Sequence, residues 1–264
     1  MTATATARPE HPAKYSAPIM TELRAALAHW APTSPLFPVT VLDPFAGLGG
    51  IHQLVPFGYD TTGVEIEADW ARCHPRTICG DSTALAFADG SFDVVATSPC
   101  YGNRMADTYD GSRDRCTTCA GDGQIEHLDD DGIELQSTTC TTCNGTGLAK
   151  SKRYTYRIAL GHDLTDGSAA GLQWGHEYRE LHRAVWAEAH RVLKPRGLLM
   201  LNISDHIRNG APQGVDIWHA SALGELGFRL VEQRPIITKR SKNGANRDAR
   251  ALCEWLLIFR RGRP

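Results

Sequence analysis

The sequence predicts an α/β fold organised around a doubly wound, open twisted sheet. Three observations carry that expectation: apolar runs of strand length recur, amphipathic stretches of helical spacing separate them, and the first three runs each carry an acidic residue at the carboxyl end. Parallel strands require right-handed crossovers, so helices should cover both faces and a ligand should sit at the carboxyl ends of the strands.

At roughly 150 residues per domain, 264 residues make one large domain or one domain with an insertion. Hydrophobic residues at 42% and charged residues at 22% exclude disorder, and 25 glycines without period exclude collagen. The net charge of −2 excludes a protein that coats nucleic acid by bulk positive charge, so an anionic partner must be met by local patches. An apolar run long enough to span a membrane is lacking, and Met1–Glu10 lacks the apolar centre of a secretory signal, so a cytoplasmic protein without a membrane partner is expected.

In chain order, a helix start capped by Ser16 is followed by strands at Val39–Phe45, Thr61–Ile66, Thr77–Cys79 and Phe92–Thr97. A helix is expected over Glu177–Leu193, stopped by Lys194-Pro195-Arg196-Gly197, and it feeds a strand over Gly197–Ser204 whose apolar run is Leu198–Ile203. Asp216–Leu226 repeats the helical spacing and ends at Gly227. Arg229–Thr238 and Ala251–Arg260 read as two strands of a hairpin joined by the basic segment Lys239–Arg250.

Between Tyr101 and Gln173 the rhythm breaks, which divides the chain into residues 1–104, a cofactor-binding half, 105–173, an insertion with a cleft segment, and 174–264, the remaining half. The insertion contains an internal repeat: Cys116-Thr-Thr-Cys119-Ala-Gly121-Asp-Gly123 recurs as Cys140-Thr-Thr-Cys143-Asn-Gly145-Thr-Gly147, 24 residues later. Two Cys-x-x-Cys pairs separated by 20 residues have the spacing of a four-thiolate zinc site, with Cys116, Cys119, Cys140 and Cys143 as ligands. Four thiolates leave no open position, so the zinc is expected to hold the insertion rather than to catalyse. Each pair resembles the Cys-x-x-Cys-x-Gly-x-Gly knuckle of J-domain co-chaperones. Between the knuckles, Gln124–Gln136 reads as a hairpin with an acidic tip at Asp129–Gly132.

Asp43-Pro-Phe45-Ala-Gly47-Leu-Gly49-Gly50 follows the first strand, and such a turn also fits an ordinary βα loop. Glu65 closes the second strand 22 residues later, placed to accept bonds from ribose hydroxyls, and Asp81 closes the third, where a helix cap is the plainer alternative. A phosphate-cradling Gly-x-x-x-x-Gly-Lys motif is lacking. Together these residues resemble the S-adenosylmethionine-dependent class I methyltransferases, over nearly the whole chain apart from the cysteine insertion. The resemblance implies a Rossmann-like sheet of seven strands with the last antiparallel, Asp43, Phe45, Gly47 and Gly49 around the methionine end of S-adenosyl-L-methionine, Glu65 on the ribose and Asp81 on the adenine.

Ser98-Pro99-Cys100-Tyr101 leaves the fourth strand. Ser98 offers an oxygen, Pro99 a projecting carbonyl and Tyr101 a flat face, a set able to hold an exocyclic amine by two acceptors while stacking its ring. The segment resembles the Asn/Asp/Ser-Pro-Pro-Tyr/Phe loop of DNA amino-methyltransferases, with Ser leaning towards cytosine N4 over adenine N6, and Cys100 departing from the second proline. His11-Pro-Ala-Lys-Tyr-Ser16 before both motifs resembles their gamma arrangement. The implied partner is double-stranded DNA with a flipped target base, bound by a monomer or dimer.

Pro99-Cys100 also resembles the nucleophile loop of cytosine-C5 methyltransferases, yet the Glu of that family is missing from Leu201-Asn202-Ile203-Ser204-Asp205-His206. An RNA or protein-glutamine substrate, and a non-catalytic zinc-dependent nucleic-acid-binding module, remain alternatives. Lys150, Lys152, Arg153 and Arg157 interleaved with Tyr154 and Tyr156, and Lys239, Arg240, Lys242, Arg247 and Arg250, form two basic patches that could hold phosphates or simply be solvated. Trp174, Tyr178 and Trp186 read as core or cleft lining, and Asp205 and His206 as pocket border or turn cap.

Overall fold

The computed structural model describes residues 15–102, 118–120, 122, 124–128, 134–141, 145, 156, 160, 162–208, 210–238, 251 and 253–262. Helix α1 (Ala17–Trp30) starts after Ser16, with Pro18 in its first turn, and leads to β1 (Thr40–Asp43). A 3₁₀ helix (Gly50–Phe57) then precedes β2 (Asp60–Glu65), the single turn α2 (Ala68–Ala71), β3 (Thr77–Cys79) and β4 (Phe92–Thr97). β5 (Gln124–Leu128) and β6 (Glu134–Thr139) form an antiparallel hairpin by themselves. Helix α3 (His176–Val192) and β7 (Leu193–Ile203) follow. A 3₁₀ turn (Ala169–Gly171) precedes α3, and the small pair β8 (Ile207–Arg208) and β9 (Ala211–Pro212), helix α4 (Val215–Glu225), β10 (Phe228–Ile236) and β11 (Glu254–Arg261) come after β7.

Seven strands form one sheet in the order β3-β2-β1-β4-β7-β11-β10, parallel except for β11, which runs against both of its neighbours. The expected sheet of seven strands is therefore present, with its last strand antiparallel. Its period of two divides the core cleanly. Leu42, Val95, Leu199, Leu201 and Leu257 face one side and pack on Val185, Trp186 and Ala189 of α3 and Leu223 of α4. Val41, Val94, Ala96, Met200 and Ile258 face the other and pack on Leu23 and Leu27 of α1, with Ile51 and Leu54 of the 3₁₀ helix. Each large apolar side chain so buried stabilises the fold by about 1.5–3 kcal/mol.

Three expectations are corrected. Thr77–Cys79 is not a buried strand: β3 lies at the sheet edge, and Ile78 is 50% exposed. β7 begins at Leu193, the last residue of the expected helix, and runs through the segment expected to be a stop; Phe92 pairs with Leu193 and Val94 with Leu198, so Lys194–Gly197 bulges out between the two pairs. Arg196 takes φ 66° there, a region strained for a side chain. Ser16 precedes α1, but its side chain makes no capping bond.

Candidate functional site

At the carboxyl ends of β1, β2 and β4 a cavity of about 1140 Å³ opens, walled by the Pro44–Gly50 loop, Glu65, Asp81 and Ser98–Tyr101, with Ser168–Ala170 opposite. The loop's path depends on its glycines. Gly47 has φ 53° and Gly49 φ 81°, and a Cβ on Gly49 would lie 2.7 Å from the His52 ring and 2.8 Å from His74. His52 stacks on His74 with centroids 3.8 Å apart, and its two ring nitrogens meet the hydroxyls of Thr61 and Thr77 at 2.8 and 2.9 Å. Burial and the neighbouring His74 push His52 down to about 4, so the ring is neutral.

The three strand-end carboxylates have three different environments. Asp43 is fully buried and does not line the cavity, although Phe45, Gly47 and Gly49 do. Its Oδ1 accepts from the Thr97 hydroxyl at 2.6 Å and the Phe45 amide at 3.0 Å, and its Oδ2 from the Tyr15 hydroxyl at 2.9 Å. Asp43 thus ties α1's entry to β1 and β4, behind the wall rather than in it. Burial pushes it up to about 6 against the pull of those three donors.

Glu65 is 8% exposed and faces the cavity. Its Oε2 accepts from the Gly47 amide at 2.8 Å and its Oε1 from the Glu67 amide at 2.9 Å, leaving one further acceptor direction on each oxygen. Burial raises Glu65 to about 7. Asp81 is exposed on the cavity rim and accepts from the Thr83 amide at 2.8 Å, an Asx turn with no helix after it. Glu67, overlooked in the sequence, accepts from the Thr165 amide and hydroxyl, both at 3.0 Å, and so anchors the segment that forms the opposite wall.

Around Ser98 a side-chain network gathers residues far apart in sequence. Asn202 Nδ2 lies 3.0 Å from Ser98 Oγ, 2.6 Å from the Tyr101 hydroxyl and 3.0 Å from Glu254 Oε2. The Tyr101 hydroxyl donates to Glu254 Oε2 at 2.8 Å and meets Ser98 Oγ at 3.1 Å. Glu254 Oε1 accepts from Thr238 at 3.0 Å. Ser98 and Tyr101 both border the cavity; the Tyr101 hydroxyl is held by Asn202 and Glu254, and Ser98 Oγ, with one lone pair facing Asn202 and its proton towards Tyr101, has acceptor capacity for one more bond.

The loop backbone is held separately. The Trp186 indole donates to His219 Nδ1 at 3.1 Å, so the neutral His219 carries its proton on Nε2 and donates it to the Tyr178 hydroxyl at 3.0 Å. Tyr178 then donates to the Cys100 carbonyl at 2.8 Å. Donor direction runs one way, from helix α3 into the loop after β4. Cys100's thiol points to Tyr156 at 3.4 Å, and burial pushes it up to about 11, which leaves it protonated and a poor nucleophile.

Tyr178 and Trp186 are buried and Trp174 half-buried, as core and cleft lining, and Tyr156 is buried against Trp70 rather than presented as a platform for bases. Asp205 caps a turn: it accepts from the amides of His206, Gln213, Gly214 and Val215 at 2.7–3.2 Å. Cys119 and Cys140 are buried in one cluster beside Ile125, with β5 and β6 paired from Gln124 and Thr139. Gly145 donates to the Cys140 carbonyl at 3.1 Å, closing a knuckle turn. Cys116 and Cys143 lie outside the described residues, among which no group of three metal-ligating side chains occurs. Both basic patches also lie outside them, apart from Tyr156.

No family model and no curated protein sequence matches the chain. Its structure is similar to an S-adenosylmethionine-dependent methyltransferase from Methanosarcina mazei, at 12% identity over 86% of this chain and 94% of that chain, with a TM-score of 0.46. It is also similar to a methyltransferase of the same dependence from Mesorhizobium loti, at 10% identity over 93% and 98% of the two chains and TM-score 0.46. The [4+2]-cyclase SpnF matches at 12% identity over 96% and 85%, with TM-score 0.49.

Proposed function

We propose that this protein is an S-adenosylmethionine-dependent methyltransferase acting on an exocyclic base amine of double-stranded DNA, cytosine N4 before adenine N6. The observation that carries the reading is the opening of Glu65, the Gly47 loop and the Ser98–Tyr101 loop onto one cavity. The residues fit this cofactor. The Gly47 amide already donates to Glu65, so the loop is not arranged as a phosphate cradle, whereas Glu65's remaining acceptor directions suit ribose hydroxyls.

When bound, S-adenosylmethionine would supply an electrophilic methyl group on a positively charged sulfur. Ser98 Oγ would accept one amine hydrogen, the Pro99 carbonyl a second, and the Tyr101 ring would pack on the base, directing the nitrogen lone pair towards the methyl carbon. Such positioning can lower a barrier by about 7–11 kcal/mol. A paired base must leave its stack to enter, at a cost of a few kcal/mol. The cytosine-C5 alternative needs a thiolate, and the protonated Cys100 argues against it.

The test is incubation of duplex DNA, single-stranded DNA and RNA with labelled cofactor, followed by nucleoside mass spectrometry. N4-methylcytosine or N6-methyladenine is expected. 5-Methylcytosine, or label in RNA or protein alone, would refute the substrate assignment.

A structural zinc held by Cys116, Cys119, Cys140 and Cys143 belongs to the same proposal, supported by the burial of Cys119 with Cys140. Cys140→Ser is expected to lose stoichiometric zinc and, because metal binding and folding of such a segment are one equilibrium, to lower the melting temperature. Unchanged metal content would remove the zinc from the proposal.

A further inference from the structure

Resting on the amino-methyltransferase reading, we propose that Glu254 is the terminal acceptor of the proton that the substrate amine gives up, reached through Ser98 and Tyr101. An amine nitrogen that gains a methyl group while keeping both hydrogens is cationic, and it becomes a neutral product only by releasing one of them. Ser98, Pro99 and Tyr101 supply acceptors but no carboxylate. Among the described residues Glu254 is a carboxylate bonded to this loop, and it lies on β11, in a part of the sequence with no motif to mark it.

The contacts form a directed chain. Ser98 Oγ meets the Tyr101 hydroxyl at 3.1 Å, and Tyr101 donates to Glu254 Oε2 at 2.8 Å. Asn202 only donates to this group, which leaves Ser98's own proton for Tyr101. Thr238 holds the other carboxylate oxygen at 3.0 Å and fixes the group's orientation.

In the step, the base nitrogen's lone pair forms the new C–N bond and the electrons of the C–S bond return to sulfur. One N–H bond leaves its pair on nitrogen as its proton passes to Ser98 Oγ. Ser98 passes its former proton to Tyr101, and Tyr101 passes its own to Glu254 Oε2. Both hydroxyls end as they began, and Glu254 ends neutral. Glu254 borders the cavity and is 8% exposed, so the proton can return to solvent before the next turnover.

Of the described elements packed against Glu254, the β4 loop contributes Tyr101, while β7 contributes Asn202 and β10 leads into Thr238, neither of which titrates. Behind Tyr101 stand Tyr15 and Asp43.

E254Q, Tyr101→Phe and the double variant test the relay. The amide keeps an acceptor for Tyr101 and a partner for Thr238 but cannot take up a proton. Each single variant is expected to lower kcat on the order of 10²-fold, with no further loss in the double variant and with unchanged calorimetric affinity for S-adenosylmethionine. Infrared difference spectra after mixing with duplex DNA and cofactor should show a protonated carboxyl band that is missing from E254Q.

Wild-type kcat in E254Q overturns the relay, as does a protonated carboxyl band that persists unchanged in E254Q. If E254Q does not fold, the infrared band of Tyr101→Phe decides: its absence supports the relay and its persistence overturns it. An unaltered protein that methylates no base amine overturns the amino-methyltransferase reading itself, and an active one with indifferent variants overturns the relay alone.

Discussion

Ser98→Ala is expected to lower single-turnover methylation by at least about 10²-fold, the usual effect of removing one group preorganised on developing charge. Ser98 lines the cavity, and on the proposed reading the loss of its hydroxyl leaves the substrate amine one bond short where positive charge grows. The fold should tolerate the change. Asn202 keeps Tyr101 and Glu254 as partners, so the cost in stability is about one ordinary hydrogen bond, ~1 kcal/mol. Cofactor affinity should not move, because Glu65 and the Gly47 loop are untouched. Parallel calorimetry and rapid-quench kinetics check this, and equal rates in the two proteins would show that Ser98 has no part in transfer.

The second large effect falls on Glu65. Hydrogen bonds to a charged group contribute about 1.5–3 kcal/mol each, so an alanine that removes both remaining acceptor positions should weaken S-adenosylmethionine binding by about 10²-fold or more. It also strands the Gly47 and Glu67 amides that Glu65 now receives. Burial raises Glu65 from 4.5 to about 7 and Asp43 from 3.8 to about 6, so the folded protein holds both protons more tightly than the unfolded chain. Stability should therefore be highest below those ordinary values and decline as pH rises, between 4.5 and 7 for Glu65 and between 3.8 and 6 for Asp43. Each contributes on the order of 3 kcal/mol to that decline. Ribose hydroxyls donating to Glu65 favour its charged form, so cofactor binding near neutral pH should release protons. Calorimetry in buffers of different ionisation enthalpy reads the number, and proton uptake on binding would contradict the assignment.

Strands inside the sheet were legible because a strand buried on both faces is a nearly continuous apolar run, as in Phe92–Thr97 and Leu198–Ile203. The helix over α3 was legible because Tyr178, Val185, Ala189 and Val192 keep a buried face at helical spacing. Thr77–Cys79 misled because a short apolar run looks the same at a sheet edge as in its middle. The exposure of Asp43 was illegible for a different reason. Its position at the end of β1 could be read from the sequence, but the hydroxyls of Tyr15 and Thr97 that cover it lie 28 and 54 residues away.

Glu254, Asn202 and His219 were missed on the same grounds. Asn202 and Glu254 are 52 residues apart, and Tyr101 and Glu254 are 153 apart. Neither pairing has a local spacing to announce it. The one available signal was chemical: Glu254 begins a strand whose next residues, Trp255 to Phe259, are all apolar, and a carboxylate leading such a run invites the question of what it serves.

Because β11 runs against every neighbour in the sheet, its first residue, not its last, arrives at the rim where the parallel strands end. Synthesis is vectorial, so a nascent chain threads out the glycine loop, Glu65 and Ser98 long before Glu254. On the proposed reading, such a chain holds the cofactor-facing side chains before the carboxylate that would take up the proton, and the site is whole only once β11 has paired between β7 and β10.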